Sequence, residues 1–151
     1  MTTASQELLE QTRQKAHPNC HLCGNRADAP FSLDFQVLTD GSVLAEFIPP
    51  ATNTGYPDLV HGGTTASVLD AAMTNCLFSQ GIVALTARLT IRYVRPFKLG
   101  VRAQVRAEST GQRRGVYSLM AEVQQEGQRI ATAEAVFCEN TQCLAGEDVS
   151  S

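Results

Sequence analysis

Apolar and polar residues alternate through Phe31, Leu33, Phe35 and Val37, with Ser32, Asp34 and Gln36 between them, and this predicts an extended strand. Thr39-Asp40-Gly41-Ser42 supplies a turn, and Val43 to Ile48 resumes the extended run, so the two segments predict a β-hairpin. Pro49-Pro50 ends it, and Ala51 to Leu59 reads as a loop. The period then changes. From Val60 to Phe78 the spacing is helical, with Leu69, Met73 and Cys76 on one face and Val68, Ala72 and Leu77 covering much of the rest. A helix apolar nearly all round is a buried helix. Alternation returns from Ile82 to Val94, where Thr86, Arg88, Thr90 and Arg92 share one face and Ala87, Leu89, Ile91 and Tyr93 the other. Gly100 to Ser109, Val116 to Gln124 and Arg129 to Glu139 read as three more strands joined by short turns, which make neighbours antiparallel. Ser5 to Lys15 predicts a short N-terminal helix with Ser5 as its cap.

These elements predict one α+β domain over residues 1–151, a curved six-stranded antiparallel sheet wrapped around one central helix. Residues 1–30 supply the N-terminal helix and a lead-in, and residues 140–151 a flexible polar tail. A formal charge of −3 disfavours nucleic-acid binding, which needs an excess of Lys and Arg to neutralise phosphates. No apolar run is long enough to span a membrane, and Met1 to Glu7 lacks the features of a signal peptide. Five cysteines, an odd number, suit a reducing cytoplasm better than a disulfide scaffold.

Asp70 is the only Asp, Glu, Lys or Arg from Leu59 through Ala87, inside the most hydrophobic part of the chain. A buried carboxylate without compensation is costly, so a partner, a solvent face or a catalytic task as general base or nucleophile has to account for it. In front of the helix stands His61-Gly62-Gly63. Free amides at a helix start, with glycines that let an oxygen approach, make an oxyanion-type site. Asp70 is seven residues beyond Gly63, roughly 10 Å along the helix axis, too far for both groups to reach one carbon. A second motif, Cys20-His21-Leu22-Cys23-Gly24, reads as a tight turn with packed thiols. Ligation by Cys20 and Cys23 with His17 or His21, or with Cys138 and Cys143, is its alternative, and no metal is assigned.

His61-Gly62-Gly63 with Asp70, together with the stretch Leu85 to Pro96 and its Tyr93, resembles the signature of hotdog-fold acyl-CoA thioesterases of the phenylacetate-degradation (PaaI) type. The Cys-x-x-Cys-Gly lead-in is similar to one in some members. The resemblance implies a homodimer, commonly paired into a tetramer, with each site shared between Gly62 of one chain and Asp70 of its partner. It further implies hydrolysis of a medium-chain or aryl acyl-CoA, with no cofactor beyond the coenzyme A of the substrate. The Gly62 amide would hold the oxyanion, assisted by Gly63; Asp70 would activate water or attack directly; Thr86 would orient the water; His61 would position the loop. Asn53 stands near the place where some relatives carry an Asn, here Gly55. With Val60 it is assigned to substrate contact, and Arg88, Arg95, Arg113 and Arg114 to the phosphates. Arg92 and Lys98 are further basic candidates. A hotdog hydratase or dehydratase and a non-catalytic acyl-CoA binder are the competing readings.

Overall fold

The computed structural model describes residues 3–24 and 32–139. Helix α1 (Ala4–Ala16) leads to strands β1 (Gln36–Val37) and β2 (Val43–Phe47), then helix α2 (Gly62–Phe78) and strands β3 (Leu85–Tyr93), β4 (Ala103–Arg113), β5 (Val116–Gln125) and β6 (Gln128–Cys138). The six strands form one sheet in the order β1-β2-β4-β5-β6-β3, every neighbour antiparallel. β4 and β5 are joined by Arg114 and Gly115, both at positive φ (48° and 75°), the two-residue turn whose twist suits a hairpin.

The core lies between α2 and one face of the sheet. Val68, Leu69, Ala72, Met73 and Cys76 of α2 are fully buried against Val43, Val105, Leu119, Val123 and Phe137 of the strands. Each fully buried Val, Leu, Met or Phe contributes roughly 1.5–3 kcal/mol of hydrophobic stabilisation.

The expectation of a curved sheet wrapped around a single helix is overturned. The sheet is open, with β1 and β3 at its edges, and is neither closed nor strongly curled. Such a sheet covers only one side of a helix whose apolar residues run nearly all round, and a second helix covers part of the rest. α1 packs on α2, burying Leu9, and its Gln6 side chain donates to the Phe35 carbonyl (2.9 Å) and accepts from the Val37 amide (2.6 Å). α1 is capped by Thr3, whose hydroxyl accepts from the Gln6 amide at 3.1 Å, rather than by Ser5. Of the expected first strand, Phe31 lies outside the described residues and Gln36–Val37 pair with β2, while Gln6 satisfies the opposite, outer edge at Phe35 and Val37. β4 runs on to Arg113 through the stretch read as a turn, with a register shift between Ser109 and Gly111. Cys143 and the expected tail from 140 onward lie outside the described residues.

No helix among the described residues is long and apolar enough to cross a membrane. Cys138 is disulfide-bonded while Cys20, Cys23 and Cys76 are free.

Candidate active site

α2 begins where Val60 donates its amide to the Phe97 carbonyl (2.8 Å) and His61 donates its own to the Asn53 carbonyl (2.8 Å). His61 then acts as N-cap: its Nδ1 accepts from the Gly63 amide at 2.9 Å. This occupies Gly63. The Gly62 amide, at the first helical position, has no acceptor among the described residues and sits on an exposed surface. Orphan donors of this kind, reinforced by the helix dipole, favour an anionic oxygen. Tyr93 closes this end from β3, its hydroxyl donating to the Gly62 carbonyl at 2.7 Å.

Further along α2, Asp70 is half-buried and its Oδ1 accepts from the Thr86 hydroxyl at 2.6 Å. Burial pushes the Asp70 carboxyl above the ordinary carboxylate range, and the Thr86 hydrogen bond and the field of His17 pull it partly back.

The Thr86 contact depends on an irregularity in β3. Strict alternation places Thr86 with Arg88, Thr90 and Arg92. A bulge at Ala87 breaks the register: Thr86 pairs with Phe137 and Arg88 with Val136, leaving Ala87 without an opposite residue. Thr86 therefore joins Leu89 and Ile91 on the helix side, opposite the buried Phe137, Ala135 and Ala133. Arg88 stays with Thr90 and Arg92 on the opposite face.

Asp70 opens into a cavity of about 490 Å³. Its floor is the α2 stripe Ser67, Asp70, Ala71 and Thr74, spaced as one helical face, and its wall is the lead-in from Ala16 to Cys23. Sequence reasoning misses that wall, because nothing local links residues 16–23 to a helix fifty residues away. A larger groove of about 660 Å³ lies on the far face of the sheet, among Arg92, Arg106 and Glu134, and includes neither Asp70 nor Gly62.

The remaining candidates separate into groups. Asn53 is at the α2 start, its side-chain amide donating to the Thr64 hydroxyl at 3.5 Å. Gly55 is there because a Cβ would come within 3.0 Å of the His61 Cα. Val60 is a core residue. Arg95, beyond the Tyr93 end of β3, donates to the Arg129 carbonyl at 3.0 Å. Arg113 and Arg114 sit at the β4–β5 turn, near the end of the sheet that carries Thr86. Lys98 pairs with Glu126 at 3.0 Å on the surface. A single chain thus holds Asp70 with Thr86, and Gly62 with His61, Asn53 and Tyr93, as two separate constellations.

The sequence profile of the Thioesterase superfamily matches residues 58–130, just under half of the chain. A 45-residue stretch is 47% identical to the rat (Rattus norvegicus) acyl-coenzyme A thioesterase THEM4, covering 30% of this chain and 19% of that protein, so the match spans about a fifth of the relative's length. The crystal structure of a thioesterase superfamily protein superposes with a TM-score of 0.72 at 26% identity, over 78% of this chain and 61% of the other. The phenylacetic acid degradation protein PaaI of Thermus thermophilus, solved as a mutant, superposes with a TM-score of 0.65 at 22% identity, over 72% of this chain and 93% of that one. In fold the chain is similar to these thioesterases, the PaaI protein among them, and residues 58–130 are similar in sequence to the Thioesterase superfamily.

Proposed function

We propose that the protein hydrolyses an acyl-CoA thioester to a free acid and coenzyme A. The observation that carries this reading is Asp70, the one charged residue of α2, which lines the cavity and accepts from the Thr86 hydroxyl at 2.6 Å. The Thr86 proton is committed to Asp70 Oδ1, so toward a water the Thr86 oxygen can only accept. A water donating to Thr86 and to the second Asp70 oxygen is held with its lone pair outward, and Asp70 takes its proton as it attacks the thioester carbonyl. Direct attack by Asp70 with an anhydride intermediate is the variant of the same chemistry. The acyl group is medium-chain or aryl, within the size range of a cavity of about 490 Å³.

The oxyanion donor is the free Gly62 amide of a second copy. Within one chain Gly62 precedes Asp70 by eight residues, about 12 Å of helix. β3 supports the pairing: among the described residues it is hydrogen-bonded to β6 on one side only, and Leu85 and Tyr93 within it, with Val83 and Val94 beside its ends, are exposed apolar residues. An uncovered edge of this length is a template for another strand. Two copies joined edge to edge through β3 bring the Gly62 end of one toward the Asp70 end of the other, and such dimers can pair into tetramers. Arg113 and Arg114, on an exposed turn, are the candidates for the coenzyme A phosphates, with Arg88 and Arg95 as further ones.

A hydratase reading asks for a free imidazole in the loop before the helix, but His61 commits Nδ1 to Gly63 and Asp70 is partnered by Thr86. The test is release of thiol from a panel of acyl-CoAs graded by chain length and aromatic character. Turnover of at least one member, lost in Asp70→Asn, is expected. Binding without turnover across the panel makes the protein a carrier or sensor and defeats the assignment.

A further inference from the structure

His17 closes α1 as its C-cap, Cys20 and Cys23 follow in the lead-in, and their ligand atoms all lie within 4.8 Å of one another. We infer that His17 Nδ1, Cys20 Sγ and Cys23 Sγ form a binding site for one thiophilic divalent cation, Zn²⁺ being the best match.

Three independent features of the backbone and side chains point there. The first is spacing. His17 Nδ1 and Cys23 Sγ are 3.6 Å apart. Bonds of ~2.3 Å to sulfur and ~2.0–2.1 Å to nitrogen at a tetrahedral angle put two such atoms about 3.6 Å from each other. The second is the loop itself. The Leu22 and Cys23 amides both point at Cys20 Sγ, at 3.5 and 3.4 Å, an arrangement that neutralises a thiolate as metal ligation requires. The loop closes with the Gly24 amide on the Cys20 carbonyl at 2.9 Å, and only glycine fits: a Cβ there would be 2.5 Å from the Cys20 nitrogen. The third is rigidity. The His17 ring stands edge-on to Phe78, centroids 5.1 Å apart, and Arg13 donates to the Cys23 carbonyl at 2.6 Å, so both ends of the loop are tied to the helices. Both cysteines are free thiols.

His21 lies outside the cluster, and Cys138, being disulfide-bonded, offers no thiolate to a four-cysteine site. The fourth position is therefore left to a water or small ligand from the cavity that these three residues share with Asp70, whose carboxylate is itself outside the cluster. Binding releases the two thiol protons to solvent. The ion would brace the wall of the Asp70 cavity, and the site stands whether or not the protein is a thioesterase.

The experiment uses the full chain under reducing conditions: zinc content by mass spectrometry, and Co²⁺ titration read by thiolate-to-cobalt charge-transfer absorption. One metal per chain is expected. Cys20→Ser and His17→Ala, each checked for folding by circular dichroism, should bind about tenfold more weakly or worse. Cys76→Ser, which removes the free thiol outside the cluster, should bind as wild type does. No bound zinc and no charge-transfer band in the reduced wild type overturns the site, as does an unchanged band in Cys20→Ser.

Discussion

The two ends of the functional stretch of α2 are built on opposite principles. At its start everything faces water: His61, Gly62 and Gly63 are exposed, the His61 and Tyr93 side chains hold the Gly63 amide and the Gly62 carbonyl, and the Gly62 amide is left over among the described residues. Two turns further on, a charged side chain is sunk beside a cavity and held by one hydroxyl. β3, running opposite to α2, fastens both places, Tyr93 to Gly62 and Thr86 to Asp70. The first end suits stabilisation of charge that develops on a ligand. The second suits a proton acceptor whose basicity is raised by burial. Neither is a complete site, and that incompleteness is the strongest argument for a second copy.

The largest effect should come from the buried end. Asp70→Asn keeps an acceptor for Thr86 but removes the base, and kcat is expected to fall about 10²–10⁴-fold in a thiol-release assay. The exposed end can be broken without unfolding it. Gly62 is the first helical residue, where proline is favoured, and His61 already has φ −58° and ψ 136°, the conformation that proline demands of its predecessor. Gly62→Pro deletes the free N–H and should lower kcat about 10²–10³-fold with thermal stability kept. Thr86→Val should cost roughly ten- to a hundredfold, the worth of a hydrogen bond to a charged group. It should also move the acidic limb of the pH profile upward, since the hydrogen bond favours the ionised Asp70; Thr86→Ser should restore both.

Stability should move in the opposite sense to activity at Asp70. Its folded pKa is raised, so the unfolded chain gives up this proton first and folding loses stability as pH climbs through the interval between the two values. Asp70→Asn is expected to raise Tm at neutral pH and to lose that advantage in acid, where both states are protonated. The smallest effect belongs to His61→Ala, which removes a cap worth ~1 kcal/mol and should register mainly in Tm.

Much of this is legible in the chain. Asp70 stands out because a lone carboxylate on an apolar helix needs an explanation, and Gly62 because glycines before a helix expose its amides. Thr86 is legible only through family resemblance: alternation puts it on the wrong face, and the bulge at Ala87 that corrects it has no marker in the sequence. Arg88, Thr90 and Arg92 keep the face that alternation gives them. α1 reads as peripheral because its surface is polar, yet an open sheet leaves α2 in need of it. The grouping of His17 with Cys20 and Cys23 is carried by their local spacing, whereas the placing of all three beside Asp70 is a tertiary fact that no local pattern carries.

The most direct test of the shared site is complementation between two disabled chains, Asp70→Asn and Gly62→Pro, co-expressed or refolded together. A mixed pair retains Gly62 on one copy and Asp70 on the other, so random 1:1 pairing should restore about a quarter of wild-type activity from parents that have almost none. Activity no higher than the average of the two parents, with mixed dimers demonstrably present, would contradict it.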